Sequence, residues 1–192
     1  INYTKNNFIS IWWPSEDDAK GAGDGAKAFK TLNWHGATAN FPAIQDIVKH
    51  IADKGQSKAD KASIGQVLYN RGVYNSMLIA EGIANAQKVT GKKQVTGEDV
   101  RRGLETMNLS AARLKELGFE GFAEPIALSC KDHNGHKASF VQEFDGTKFV
   151  PVTKPIAPLT DKVAPLQEAA AKDYVEKNTG WPKRTEPCDK NS

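Results

Sequence analysis

An α/β fold is predicted for this chain, on three observations. Short runs rich in Phe, Ile, Val and Trp stop at Pro, Asn or Gly, as strands do. Between them lie segments whose apolar residues recur at three- and four-residue steps, with cap and stop residues at their ends, as in helices. After Gly118 the texture changes, from helices alternating with strands to strand-like runs joined through Asn-Gly and Asp-Gly.

The elements follow in order. Residues Asn7 to Trp13 suit a strand that Pro14 ends. Neighbouring strand side chains face opposite ways, so Trp12 and Trp13 cannot both fill one core. The polar, glycine-rich "DDAKGAGDGAKAFK" reads as a short helix or loop, leading to a weaker strand near Phe29 to Asn33. "NFPAIQDIVKHIADKG" is a helix, with Phe41, Ile44, Ile47/Val48 and Ile51 in register, Pro42 in its first turn and Gly55 as its stop.

A long apolar segment covers Ile64 to Val89. Gly72 sits early in it, so the helix is expected to begin near there, with Val73, Met77, Ala80 and Ala84 on one face and Gly91 beyond its end. "VTGEDVRRGLETMN" is a further helix, with Thr96 as N-cap and Asp99 three residues on, a capping box with Asp in the Glu/Gln place. "SAARLKELG" is a short helix capped by Ser110 and stopped by Gly118. "EPIALSC", "HKASFVQEF" and "KFVPVTKPI" are strand-like, with hairpin turns expected at Asn134-Gly135 and Asp145-Gly146. A last helix runs from Thr160 as N-cap to about Lys177, before an irregular tail.

Composition narrows the function classes. With 192 residues, 39% hydrophobic and 26% charged, the chain is long enough for one domain or two small lobes with a real core. No apolar run approaches a membrane span. Twenty-six basic residues against 23 acidic leave a net charge of +3, and the basic ones are scattered, which argues against nucleic acid as partner. The first residue is Ile1, so a trimmed or cut chain is expected, with any targeting segment outside it. Cys130 and Cys188 are either two free thiols or one disulfide. A bridge closing so long a loop stabilises by roughly 4 kcal/mol and belongs outside the reducing cytoplasm.

No motif points to catalysis or a metal. "GAGDGAK" lacks the Gly-Lys-Ser/Thr of a phosphate loop, because Ala26 separates Gly25 from Lys27. "CKDHNGH" places Cys130, Asp132, His133 and His136 in one loop, but no second Cys/His pair exists to complete a zinc site. No serine stands in a Gly-x-Ser-x-Gly elbow, and no cysteine beside a histidine in a catalytic signature. No enzyme and no cofactor is therefore expected. What remains are aromatic and polar residues at element ends, "WWPSE" and "LYNRGVYNSM", the usual make-up of a small-ligand pocket or of ordinary packing.

"WWPSEDD", "LYNRGVYNSMLIAEGI", "VTGEDVRRGLETMNLSAARLKELG" and "LSCKDHNGHKASFVQEFDGTKF", in this order, resemble the C-terminal half of a substrate-binding protein of an ABC importer, of the Leu/Ile/Val-binding type. The resemblance covers essentially the whole chain. It implies a type I periplasmic-binding-protein-like fold, present as a fragment with parts of both lobes. Residues 1–62 would belong to the C-terminal lobe and 63–128 to the N-terminal lobe. Residues 129–192 would form the third crossing, the C-terminal-lobe hairpin and helix, and the tail.

The implied activity is capture of a small organic ligand in the interlobe cleft and its delivery to a membrane permease. By the same resemblance Trp12, Trp13 and Tyr74 line the cleft, Glu16 meets a polar or cationic group, and Ser15 and Asn75 orient the ligand. Many relatives carry Asp where this chain has Asn75, which weakens an amino-acid assignment, and two tryptophans at the cleft suggest a bulkier or aromatic ligand. The expected ligand is branched-chain amino acid-like, an amide or an aromatic compound. A periplasmic disulfide between Cys130 and Cys188 is implied as well. A full member is about twice this long. The implied partners are thus the missing N-terminal half or a second copy, besides ligand and permease. The alternative expectation is a fragment that binds nothing by itself.

Overall fold

The computed structural model describes residues 14–180 and Pro182, and residues 9 and 10 by their backbone. Of the first expected strand it describes β1 (Ile9–Ser10), and the rest, with Trp12 and Trp13, lies outside the described residues. The glycine-rich stretch becomes α1 (Glu16–Gly21) and one 3₁₀ turn, Gly23–Ala26. The next strand, β2 (Lys30–Asn33), falls where the sequence places it, with Thr31 and Asn33 on the buried side. α2 (Pro42–Ile47) opens on Pro42 and continues as a π-type turn over Val48–Ala52, and Gly55 follows at φ +68°.

α3 (Val67–Thr90) departs from expectation twice. It starts at Val67 instead of near Gly72, which is an exposed interior position. Its buried face is Val67, Asn70, Tyr74, Met77, Gly82 and Ala86, whereas Ala80 and Ala84 are exposed. The reason is tertiary. The first turn is held by Glu16 and by Asn70, contacts from far along the chain that outweigh the local cost of a helical glycine.

α4 (Gly97–Glu105) has the predicted capping box. The Thr96 hydroxyl accepts from the Asp99 N–H, and the Asp99 carboxylate accepts from the Thr96 N–H at 2.9 Å. α5 (Ala111–Glu116) is capped by Ser110 and stopped by Gly118 at φ +78°. α6 (Thr160–Lys177) spans the expected residues, but Leu159 holds the cap position and Thr160 is the first helical residue. None of its residues is buried.

The strands form two sheets. In the larger, β1 runs parallel to β2, β2 antiparallel to β5 (Phe140–Phe144), and β5 antiparallel to β6 (Phe149–Pro151). Thr31 stands opposite Gln142 and Asn33 opposite Phe140. The Asp145-Gly146 turn joins β5 to β6, and the Asp145 carboxylate accepts from the N–H groups of Thr147 and Lys148. The other expected hairpin does not form. β4 (Ile126–Ala127) pairs with β3 (Asn108–Leu109), so Asn134-Gly135 lies in a loop crossing from one sheet to the other. There the Asn134 N–H is taken by the Asp132 side chain, a local turn that needs no strand partner.

Two apolar cores result. One packs α1 onto the larger sheet through Ala19, Ala26, Val67, Phe144 and Phe149. The other gathers Tyr74, Met77, Met107, Leu109, Leu114, Phe119, Phe122 and Ile126 around α3 and the smaller sheet. α3 contributes to both.

Candidate functional site

The turn after β1 is organised by its own polar side chains. Ser15 caps α1: its hydroxyl accepts from the Asp18 N–H, while the Asp18 carboxylate accepts from the Ser15 N–H at 2.9 Å and its hydroxyl at 2.7 Å. Those bonds hold the Asp18 carboxyl below its usual pKa. Glu16 points inward and is 1% exposed. Both its oxygens accept the Val67 N–H, at 3.2 and 3.1 Å, so a carboxylate closes the first turn of α3, where Gln66 offers no side-chain cap. Burial raises the Glu16 pKa, and the backbone N–H groups partly oppose this. Glu16 also borders a cavity of about 260 Å³ shared with Lys20, Thr38 and Gln66.

Further along α3, three side chains clasp the loop after β2. The Asn70 amide donates to the carbonyls of Gly36 and Thr38, both at 3.0 Å. Arg71 donates from Nε to His35 Nε2 at 3.3 Å and from Nη2 to Asn33 Oδ1 at 3.5 Å. Because Nε2 accepts, the His35 proton sits on Nδ1, 3.2 Å from the Gly36 carbonyl it donates to. His35 is 1% exposed, and burial lowers its pKa to about 4, helped by the charge of Arg71 and by His136.

Tyr74 completes the cluster. Its ring lies 5.4 Å from Phe122, 6.1 Å from His35 and 5.7 Å from His136. Its hydroxyl and the Nδ1 of His136 are both buried without a hydrogen-bond partner. Burial raises the tyrosine pKa and lowers that of His136. His136 stacks on Trp34, with centroids 5.4 Å apart and planes 14° from parallel. The arrangement can bind and orient a polar group but holds no nucleophile paired with a base.

The structure thus divides the expected site residues. Trp12, Trp13 and Cys188 lie outside the described residues. Ser15 and Glu16 are engaged in capping, Tyr74 is in the aromatic cluster, and Asn75 is exposed beside it. Cys130 is buried, and no free cysteine occurs among the described residues. His35, Arg71, Trp34 and His136 were missed, since nothing local joins residues so far apart. The one available signal was the i, i+1, i+4 spacing of Asn70, Arg71 and Tyr74 on α3.

On the other side of Trp34 lies a cavity of about 350 Å³. It runs between the loop after β2, residues 121–124, and the β5–β6 hairpin, and five aromatic side chains are among its walls.

No family model and no curated protein matches the chain. Solved structures do. A crystal structure described as an ABC transporter permease from the Pseudomonas fluorescens group is 32% identical, with a TM-score of 0.83 over 93% of this chain and 43% of that one. A branched-chain amino acid ABC transporter from Thermus thermophilus, with bound valine, is 26% identical, with a TM-score of 0.60 over 79% of this chain and 39% of that one. The chain spans less than half the length of either. Its fold is α/β, of the type I periplasmic-binding-protein-like class.

Proposed function

We propose that the chain is part of the solute-binding component of an ABC importer and contributes one face of a cleft that captures a small organic ligand. The observation that carries this reading is the likeness over 93% of the chain at a TM-score of 0.83. The valine held by the second relative supports binding, as opposed to a membrane-embedded role. Residues 63–128 around the α3 core would form part of one lobe. Residues 1–62 and 129–192 around the larger sheet would belong to the other.

Tyr74 is the cleft residue with the best support, because it is buried with an unmatched hydroxyl. Trp12 and Trp13 are proposed as its aromatic neighbours, and Asn75 as an orienting group. Glu16 and Ser15 are proposed to act through the turn they hold, Glu16 with a face on the smaller cavity. The ligand is proposed to be branched-chain amino acid-like, an amide or an aromatic compound. A Cys130–Cys188 bridge and a periplasmic location complete the reading.

A second reading has its own observation. The outer face of α3 exposes Leu68, Ile79 and Ile83, and α6 exposes Leu166 and Tyr174. Such stripes suit a chain that binds only when covered, by an N-terminal half or by a second copy. Calorimetry against valine, leucine, aromatic acids and their amides separates the two. Binding by this chain supports the first reading, and binding only after the rest of the fold is supplied supports the second. Silence from both, across the panel, removes the solute-binding function.

A further inference from the structure

The cavity bordered by Trp34 is lined by none of the side chains proposed for the cleft. Its lining includes Trp34, Phe41, Phe122, Phe140 and Phe149, drawn from three segments, besides small, aliphatic and polar residues. Phe122 and Phe149 are each 1% exposed and belong to the two cores, so these walls are anchored. At about 350 Å³ the space is of the size that accepts a small organic molecule.

The polar groups on the lining are few, and mostly donors. The Thr38 hydroxyl oxygen accepts the Asn40 N–H at 3.2 Å, and that of Thr153 accepts the Val141 N–H at 2.9 Å. Each therefore has its O–H to offer. Lys148 is the cation on the lining and Glu124 the carboxylate, and neither belongs to an ion pair among the described residues. The nearby Asp145 carboxylate accepts from the N–H groups of Thr147 and Lys148 and from the Thr147 hydroxyl, and the Lys148 charge acts on it as well. Among the lining side chains three donors stand against one carboxylate, with the Asp145 carboxylate near Lys148 outside the lining. That balance favours an apolar body with one anionic end.

We propose that this cavity is a binding site for a small aromatic carboxylate, with the ring against the aromatic walls and the carboxylate on Lys148. The site is argued from its own lining, although Thr38 and Lys148 also border the smaller cavity that Glu16 faces.

Three isosteric probes test it on this chain at neutral pH: 3-phenylpropanoate, 3-phenylpropanamide and 3-phenylpropylammonium, followed by calorimetry and amide chemical shifts. The carboxylate binds at least tenfold tighter than the other two. Lys148→Met removes that advantage and leaves the amide unchanged. Glu124→Gln strengthens carboxylate binding two- to threefold by removing a like charge. Ala138→Trp, which fills the cavity, abolishes it. Equal affinity for all three probes, preference for the ammonium, no binding, or indifference to Lys148→Met overturns the proposal. Lys148 is exposed on a turn, so its variant stays folded even where Ala138→Trp does not. Carboxylate binding that survives Asn75→Ala but not Lys148→Met belongs to this cavity, whereas binding lost in Asn75→Ala and kept in Lys148→Met belongs to the proposed cleft and overturns the proposal.

Discussion

His35 carries a charge relation that its neighbours cannot change without cost. Its Nε2 must stay unprotonated to accept from Arg71, and burial lowers its pKa to about 4 from an ordinary 6.5. The native protein therefore binds fewer protons than the unfolded chain between these two values. The contribution is full above pH 6.5 and is lost as pH falls toward 4. Unfolding free energy should drop by roughly 3 kcal/mol across that window. His136 shifts in the same direction and adds to the slope. Urea titrations at a series of pH values check this, and His35→Gln should flatten the curve. A profile equally steep in the variant would remove His35 from the account. Glu16 is a second test at this scale. Glu16→Ala leaves the Val67 N–H buried and unpaired, and should cost about 2–3 kcal/mol, while Glu16→Gln, which can still accept, costs under about 1 kcal/mol.

Elements whose ends are governed by neighbouring residues were legible in the sequence. Thr96 with Asp99, Ser110, Pro42 and the Asp145-Gly146 turn act within a few residues of their effect, and each stands where expected. The start of α3 was not legible, because its cap is a carboxylate 51 residues away. Asn134-Gly135 misled for a related reason. The turn is real, but which strands flank it depends on β3, which precedes it by many residues. The aromatic cluster stayed hidden too, since His35 and His136 meet only when β2 and the crossing loop converge on Tyr74. At this scale α3 and α4 make a close crossing. A Cβ on Gly103 would stand 2.5 Å from the Gly82 carbonyl oxygen and 2.6 Å from the Ala86 nitrogen, backbone that cannot step aside. Gly103→Ala, despite its better helix propensity, should lose about 1–3 kcal/mol in chemical denaturation. Gly72→Ala, with nothing within 4 Å, should gain up to about 1 kcal/mol in the same assay.

For the molecule as a whole, the exposed apolar stripes set the expectation. Leu166 is 71% exposed and Leu159 69%. Replacing both with Lys should leave the stability of this chain within about 0.5 kcal/mol, since nothing described covers them. The same pair of changes should weaken any complex in which the rest of a type I fold, or a second copy, covers α6. Sedimentation of the mixed components, with and without the changes, reads this directly.

α3 enters both cores, and that has a mechanical consequence. Its 24 residues make a rod of roughly 36 Å. Held at one end by Glu16, Asn70 and Arg71, it links the loop after β2 to the core around Tyr74 and Met77. A tilt of about 10° at the held end would sweep the far end through about 6 Å on that rod length. Just before the held end lies Gly65, buried at φ +93°, where a side chain would meet the Ala39 backbone at 2.5 Å, so the entry to α3 is closely packed against the loop. The far half of α3 is pressed against α4 at Gly82 and Ala86, so any such tilt would have to carry α4 with it.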